Sequence, residues 1–193
     1  MSRPTFPPRL ARVACLAALL SGCASTYPRR DPQGQAFPTV RGTSLAGQPV
    51  TIPADVAGAP ALLLVGYQRQ TQLDLDRWLL GIHDANLQVK TYELPTIPGL
   101  VPGVLSGRID QGMRRGIPRE DWGSVVTVYG DAPKLAAFTG NDNDVPGRVL
   151  LVDRAGKVVF FHDAGYSVGA LVRLRDALAR LGIATPPTPC RAE

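Results

Sequence analysis

The chain has 193 residues, 45% of them hydrophobic, with 21 basic and 16 acidic side chains and a formal net charge of +5. That length fits one domain with a sizeable core. Arg3, Arg9 and Arg12 belong to an N-terminal segment that reads as removed, and without them the charge falls to +2, which leaves a nucleic-acid partner without its electrostatic footprint.

In chain order, the first element is a targeting segment. Three arginines without an acid precede an apolar run from Val13 to Leu20. This is the charged and apolar part of a secretory signal, too short to cross a bilayer as a mature helix. It ends in Leu20-Ser21-Gly22-Cys23. Those residues resemble the lipobox of bacterial lipoproteins, in which small residues precede a cysteine that is acylated and becomes the new N-terminus. The resemblance implies a signal peptide over 1–22, lipidation at Cys23 and attachment to the lipid bilayer. Ala24 follows the cysteine. By the same resemblance to Gram-negative sorting, that implies the outer membrane, facing the periplasm.

Residues 23–36 are polar and rich in Pro, Gly and Arg, and read as a flexible tether. The domain is expected over 37–183. "TVRGTSLAGQPVTIP" predicts a β-hairpin around Gly47. Ala61 to Tyr67 is a continuous apolar strand, the kind buried on both faces of a sheet. From Thr71 to Asn86, Leu75, Leu79 and Ile82 stripe an amphipathic helix, with Trp78 beside the stripe and Thr71 as its N-cap. Leu87 to Leu94 returns as a strand. Pro95 to Gly107 is a Pro/Gly-rich loop, and Arg108 to Gly116 a short helix. Ser124 to Tyr129 is a strand, followed by a helix to Phe138 with Asp131 as its N-cap. Arg148 to Asp153 and Lys157 to Phe161 form a hairpin. Leu171, Leu174, Leu178 and Leu181 stripe a last helix opened by Ser167 and stopped by Gly182, and 184–193 is a Pro-rich tail.

This order resembles the thioredoxin-like fold in its peroxiredoxin-type version: α/β, a central mixed sheet flanked by helices, with an N-terminal β-hairpin. "VRGTSLAGQPVTIPADVAGAPALLLVGY" is similar to the opening of those proteins, and "VLLVDRAGKVVFFHDAG" to their closing hairpin. The resemblance implies an active-site turn after Tyr67 and a cis proline before the closing hairpin, for which Pro146 is the candidate. A narrower resemblance joins "FPTVRGTSLAGQPVTIP", a cysteine-free turn before a Trp-bearing helix, "YELPTIP" and "GMRRGIPRE". It points to the mitochondrial family that helps assemble the membrane sector of ATP synthase, and implies handling of another protein rather than a reaction.

The turn itself reads Gln68-Arg69-Gln70-Thr71. Thiol chemistry needs a thiolate there, near a helix N-terminus or a cation. The chain's cysteines are Cys15, Cys23 and Cys190, so a CxxC pair and a cysteine zinc site are both excluded. His83 and His162 have no ligand at metal spacing, no cofactor is implied, and no catalytic residue stands out. "NDND" at 141–144 reads as a turn rich in Asx side chains rather than a calcium loop. Arg108, Arg114, Arg115 and Arg119 read as a solvated face.

The expectation is therefore a binding or assembly-type envelope protein without redox chemistry. It would use Tyr67, Gln68, Arg69, Gln70 and Pro146, with the Pro95 to Gly103 loop, to hold an envelope protein of unknown identity. Two other readings stand beside it. One is redox or peroxide handling with a cysteine-bearing partner. The other is a small-ligand binder with a pocket below Tyr67.

Overall fold

The computed structural model describes residues 26–97 and 103–185. Cys23, the centre of the Pro95 to Gly103 loop and Cys190 lie outside the described residues. The N-terminal hairpin forms as the Gly47 turn predicts, with β1 (Val40–Ser44) antiparallel to β2 (Pro49–Ile52). Strand β3 (Ala61–Gly66) is parallel to β4 (Lys90–Pro95) and antiparallel to β6 (Arg148–Val152), which pairs with β7 (Val158–His162). The mixed central sheet thus runs β4-β3-β6-β7. A second sheet, β2-β1-β5, adds the short strand β5 (Val126–Thr127). Parallel bridges from Glu93 to Val125 and from Thr96 to Val128 join it to β4.

The all-apolar sequence of β3 is explained by two buried faces. Leu63 and Val65 pack with Tyr92, Leu94 and Leu150 on one side, under the hairpin and helix α3 (Ala132–Thr139). Leu62 and Leu64 pack on the other with Leu75 and Trp78 of α1 (Gln72–Asp84) and Leu174 and Leu178 of α4 (Val168–Arg180). Trp78 is fully buried, with the His162 and Tyr166 rings edge-on at 5.6 and 5.5 Å. Its indole Nε1 makes no hydrogen bond among the described residues. Helix α2 (Gly103–Arg114) begins earlier than the sequence pattern suggests. Arg114 and Arg119 of the expected solvated face lie over the Trp122 ring, and Arg114 also donates to Leu45 O. Among the described residues no helix is long and apolar enough to cross a membrane.

Two expected caps hold their positions without the expected bond. Asp131 is the N-cap residue of α3, but its carboxylate accepts the Arg41 N–H at 2.8 Å and pairs with Lys134 at 3.0 Å instead of capping. Thr71 is the N-cap residue of α1, also without a side-chain cap bond, and closes a short 3-10 turn, Arg69–Thr71, whose own N-cap is Gln68. Ser167 does cap α4, accepting the Ala170 N–H at 3.2 Å.

The larger difference is the expected tether. From Tyr27 onward it is a strap laid along β7. The Tyr27 N–H donates to Asn141 Oδ1 at 2.7 Å, and Tyr27 O accepts the N–H groups of Asn141 and Asp142 at 2.9 and 3.0 Å. Arg29 grips the buried Asp163 carboxylate through two bonds of 2.6 and 2.8 Å. Gly34 donates to Val158 O, Val158 donates to Gln35 O, and Phe37 donates to Gly156 O. Backbone pairing needs no apolar side chains, so a polar composition does not forbid it.

The Arg29 hydrogen bond holds the Asp163 carboxyl below its ordinary value, against the opposing effect of burial. A depressed carboxyl stabilises fully above its unfolded value, about pH 4, and that contribution is lost as pH falls through the lower folded value. Protection of the Tyr27 and Arg29 amides against hydrogen exchange should therefore fall over that descent. Protection factors that stay constant would show that the ion pair does not hold the strap.

Candidate functional site

Strand β3 delivers Tyr67 to the C-terminal end of the sheet, and the turn to α1 follows. Tyr67 is buried, while Gln68, Arg69 and Gln70 are exposed. The turn is closed from beneath. Thr71 Oγ1 accepts the Gln68 N–H at 3.3 Å and donates to Asp144 O at 3.0 Å. Gln68 Nε2 donates to the Asp144 carboxylate. Asp74, in the first turn of α1, accepts the Gly147 N–H at 2.9 Å and the Tyr166 N–H at 2.6 Å. Gln68 and Thr71 thus tie the site turn to the loop ahead of β6, and Asp74 of α1 ties the starts of β6 and α4 together.

The space below Tyr67, expected as a possible pocket, is filled. The Arg148 guanidinium lies 5.5 Å from the ring centroid, and Tyr67 Oη shares a 2.6 Å hydrogen bond with Thr139 Oγ1. Burial pushes the Tyr67 phenol above its ordinary value, so it stays protonated. Arg148 is 1% exposed and meets no carboxylate directly among the described residues. Instead Nη1 donates to Pro146 O at 2.6 Å, Nη2 to Asn143 O at 2.6 Å and Gly140 O at 3.0 Å, and Nε to Gly140 O at 3.2 Å. Burial pulls the guanidinium below its ordinary value, with Asp163, Asp142 and Asp144 opposing that at longer range. A planar fork of donors satisfies several carbonyls at once, so one side chain fixes the whole 140–147 loop.

Pro146 lies at this site and is half-buried, but its peptide bond is trans; the cis bond among the described residues is Ile52–Pro53. The extra residue between Pro146 and the strand leaves Gly147 opposite Asp74, and the proline's part is to offer its carbonyl to Arg148. Sequence reasoning missed Arg148, Asp144 and the strap residues Tyr27 and Arg29. The available signal for Arg148 was an arginine heading the otherwise apolar run "RVLLV". The Asx reading of 141–144 is partly realised, since Asp142 Oδ1 accepts the Asn143 N–H at 3.0 Å while Asn141 serves the strap. His83 is exposed, and His162 donates from Nε2 to Gly165 O at 2.7 Å, beside Trp78. No group of three metal-ligating side chains occurs among the described residues. A shallow open hollow lined by Gln33, Phe161, Arg173 and Arg180 lies beside the strap, away from the turn.

The turn presents three exposed polar side chains, Gln68, Arg69 and Gln70, held from beneath by Thr71 and Asp144. No protein-family profile matches the sequence, and no curated protein matches it. Solved structures do match. A thiol peroxidase from Chromobacterium violaceum superposes with a TM-score of 0.52 at 9% identity, over 81% of this chain and 91% of that one. A SCO1/SenC family lipoprotein from Bacillus anthracis gives 0.52 at 16% identity, over 80% and 99%. The thioredoxin domain of a thiol-disulfide oxidoreductase from Bacteroides vulgatus gives 0.50 at 15% identity, over 76% and 97%. At such identities the likeness speaks for the fold alone. With the mixed sheet, its flanking helices and the turn after β3, it makes the chain a thioredoxin-like α/β protein.

Proposed function

We propose that the chain is a lipid-anchored protein of the bacterial cell envelope, held at the outer membrane through Cys23 and facing the periplasm, whose thioredoxin-like domain binds another envelope protein without thiol chemistry. One observation carries this reading. The position where the fold would present a reactive thiol holds Gln68-Arg69-Gln70, fixed by Thr71 and Asp144 rather than left to rearrange. The resemblance of "FPTVRGTSLAGQPVTIP" and the cysteine-free turn to the assembly-factor family would fit protein handling, and the Leu20-Ser21-Gly22-Cys23 run supports the anchor. An exposed turn with backbone groups beside it suits an extended segment of a partner.

The test is photo-crosslinking in cells from position 68, with position 176 on exposed α4 surface as control. A defined adduct from 68 alone is expected, and it should persist in Cys190→Ser, because Cys190 has no resolving thiol in this chain. Equal adducts from both positions, or none from either, would remove the turn as the working surface. Loss of function in Cys190→Ser would favour a redox role with a cysteine-bearing partner.

A further inference from the structure

We infer that the domain is clamped with the Gln68–Gln70 turn and the 140–147 loop facing the bilayer surface, where Leu73, Leu105, Val145 and Val168 meet the headgroup region. This rests on the proposed acylation of Cys23. Two independent features of the chain lead to it.

The first is reach. Tyr27 is fastened to Asn141 and Asp142 at the site end of the sheet. Four residue steps separate it from Cys23, and four extended residues span at most about 14 Å. An anchor so short fixes which end of the domain meets the membrane. The strap continues away from that end, from Arg29 at Asp163 to Phe37 at Gly156. Gly140, whose added Cβ would fall 2.6 Å from Pro28 O, shows how closely the strap covers the loop.

The second is where the apolar surface lies. Five large apolar side chains are well exposed among the described residues: Leu73 (68%), Leu80 (60%), Leu105 (48%), Val145 (47%) and Val168 (69%). Leu80 is on the flank of α1. The other four share the site end. Leu73 is in the first turn of α1, Leu105 in the first turn of α2, Val168 opens α4, and Val145 lies in the loop ahead of β6. Strands β3 and β4 run toward that end and β6 leaves from it. Arg30 and Arg69 are exposed there too, with the carboxylates of Asp142 and Asp144 in the loop between them, so the rim is mixed in charge and the membrane contact rests on the apolar side chains. Apolar side chains gathered at the end where the acyl chains would be attached fit a phospholipid surface. The turn would then meet partner segments at headgroup level, which narrows the partner to a chain at the membrane surface.

The test uses the full lipidated chain in vesicles of phosphatidylethanolamine and phosphatidylglycerol containing brominated lipids. Val145→Cys and Ala155→Cys, each with Cys190→Ser, carry a quenchable fluorophore. Ala155 lies in the β6–β7 turn at the opposite end of the sheet. Quenching at 145 should exceed that at 155 several-fold, and Leu73→Ser with Val168→Ser should reduce it. Palmitate incorporation separates the failures. A chain that takes up palmitate but is quenched equally at both positions overturns the orientation and leaves the anchor standing. A chain that takes up no palmitate overturns the anchor and the orientation together. Crosslinks from 145 to a protein in cells, with no quenching in vesicles, would assign the apolar rim to a protein partner and overturn the lipid contact.

Discussion

Arg148→Met should lower the unfolding free energy by about 3 kcal/mol, because the charge-assisted bonds to Gly140, Asn143 and Pro146 are lost together and the carbonyl of the buried Gly140 is left an orphan, at about 1–3 kcal/mol, while the exposed Asn143 and half-buried Pro146 carbonyls can turn to water. For a domain of this size that is a fall in melting temperature of about 6–12 °C. Arg148→Lys should recover little of it. An ammonium on a flexible stem cannot span three carbonyls with the geometry of a planar fork. Urea unfolding of the two variants checks both statements. A loss below about 1 kcal/mol in the methionine variant would mean that water takes over the carbonyls. The loop, and not only the fold, would then not depend on the arginine.

Gly140→Ala should free the strap. Gly140 has φ 73° and ψ 150°, a region essentially reserved for glycine, where another residue costs about 1–3 kcal/mol. Its new Cβ would also meet Pro28 O at 2.6 Å and Arg29 Cα at 2.7 Å. Both contacts are backbone, so no rotamer change relieves them. The expected response is separation of Tyr27 from Asn141, with trypsin cleaving after Arg29 or Arg30 at least about tenfold faster, the equivalent of ~1.4 kcal/mol of opening. Cleavage at the unaltered rate would show that strap and loop shift together. The surface facing outward at Gln68 would then be unaffected by the substitution.

The central strands were readable because burial on both faces leaves an apolar run, as in Ala61–Gly66, and helix α1 because one face must be apolar. The order of elements carried the fold. What stayed hidden depends on pairings between distant residues that leave no periodicity. The strap is held mainly by backbone groups and by Arg29 reaching Asp163, so its composition matches that of a tether. Thr71 was legible as a polar residue at a helix start. Its use as a link to Asp144, 73 residues away, was not. Pro146 lies in the loop beside the turn, but the residue between it and β6 changes its task from a turn isomer to a carbonyl acceptor. The proposed acylation of Cys23 rests on its flanks alone, since peptidase access and acylation act on local sequence.

Strand β7 is the last of the central sheet, and without the strap its outer row of amide and carbonyl groups would be open along Val158, beside Phe160 and Phe161. Gly34 and Gln35 occupy that row. An uncovered edge is a template for pairing with a second chain. A substitution that lifts the strap therefore does more than loosen the domain from its lead sequence: it offers neighbouring copies a sticky margin, so that self-association and loss of solubility become the visible symptom of a fault that began in attachment.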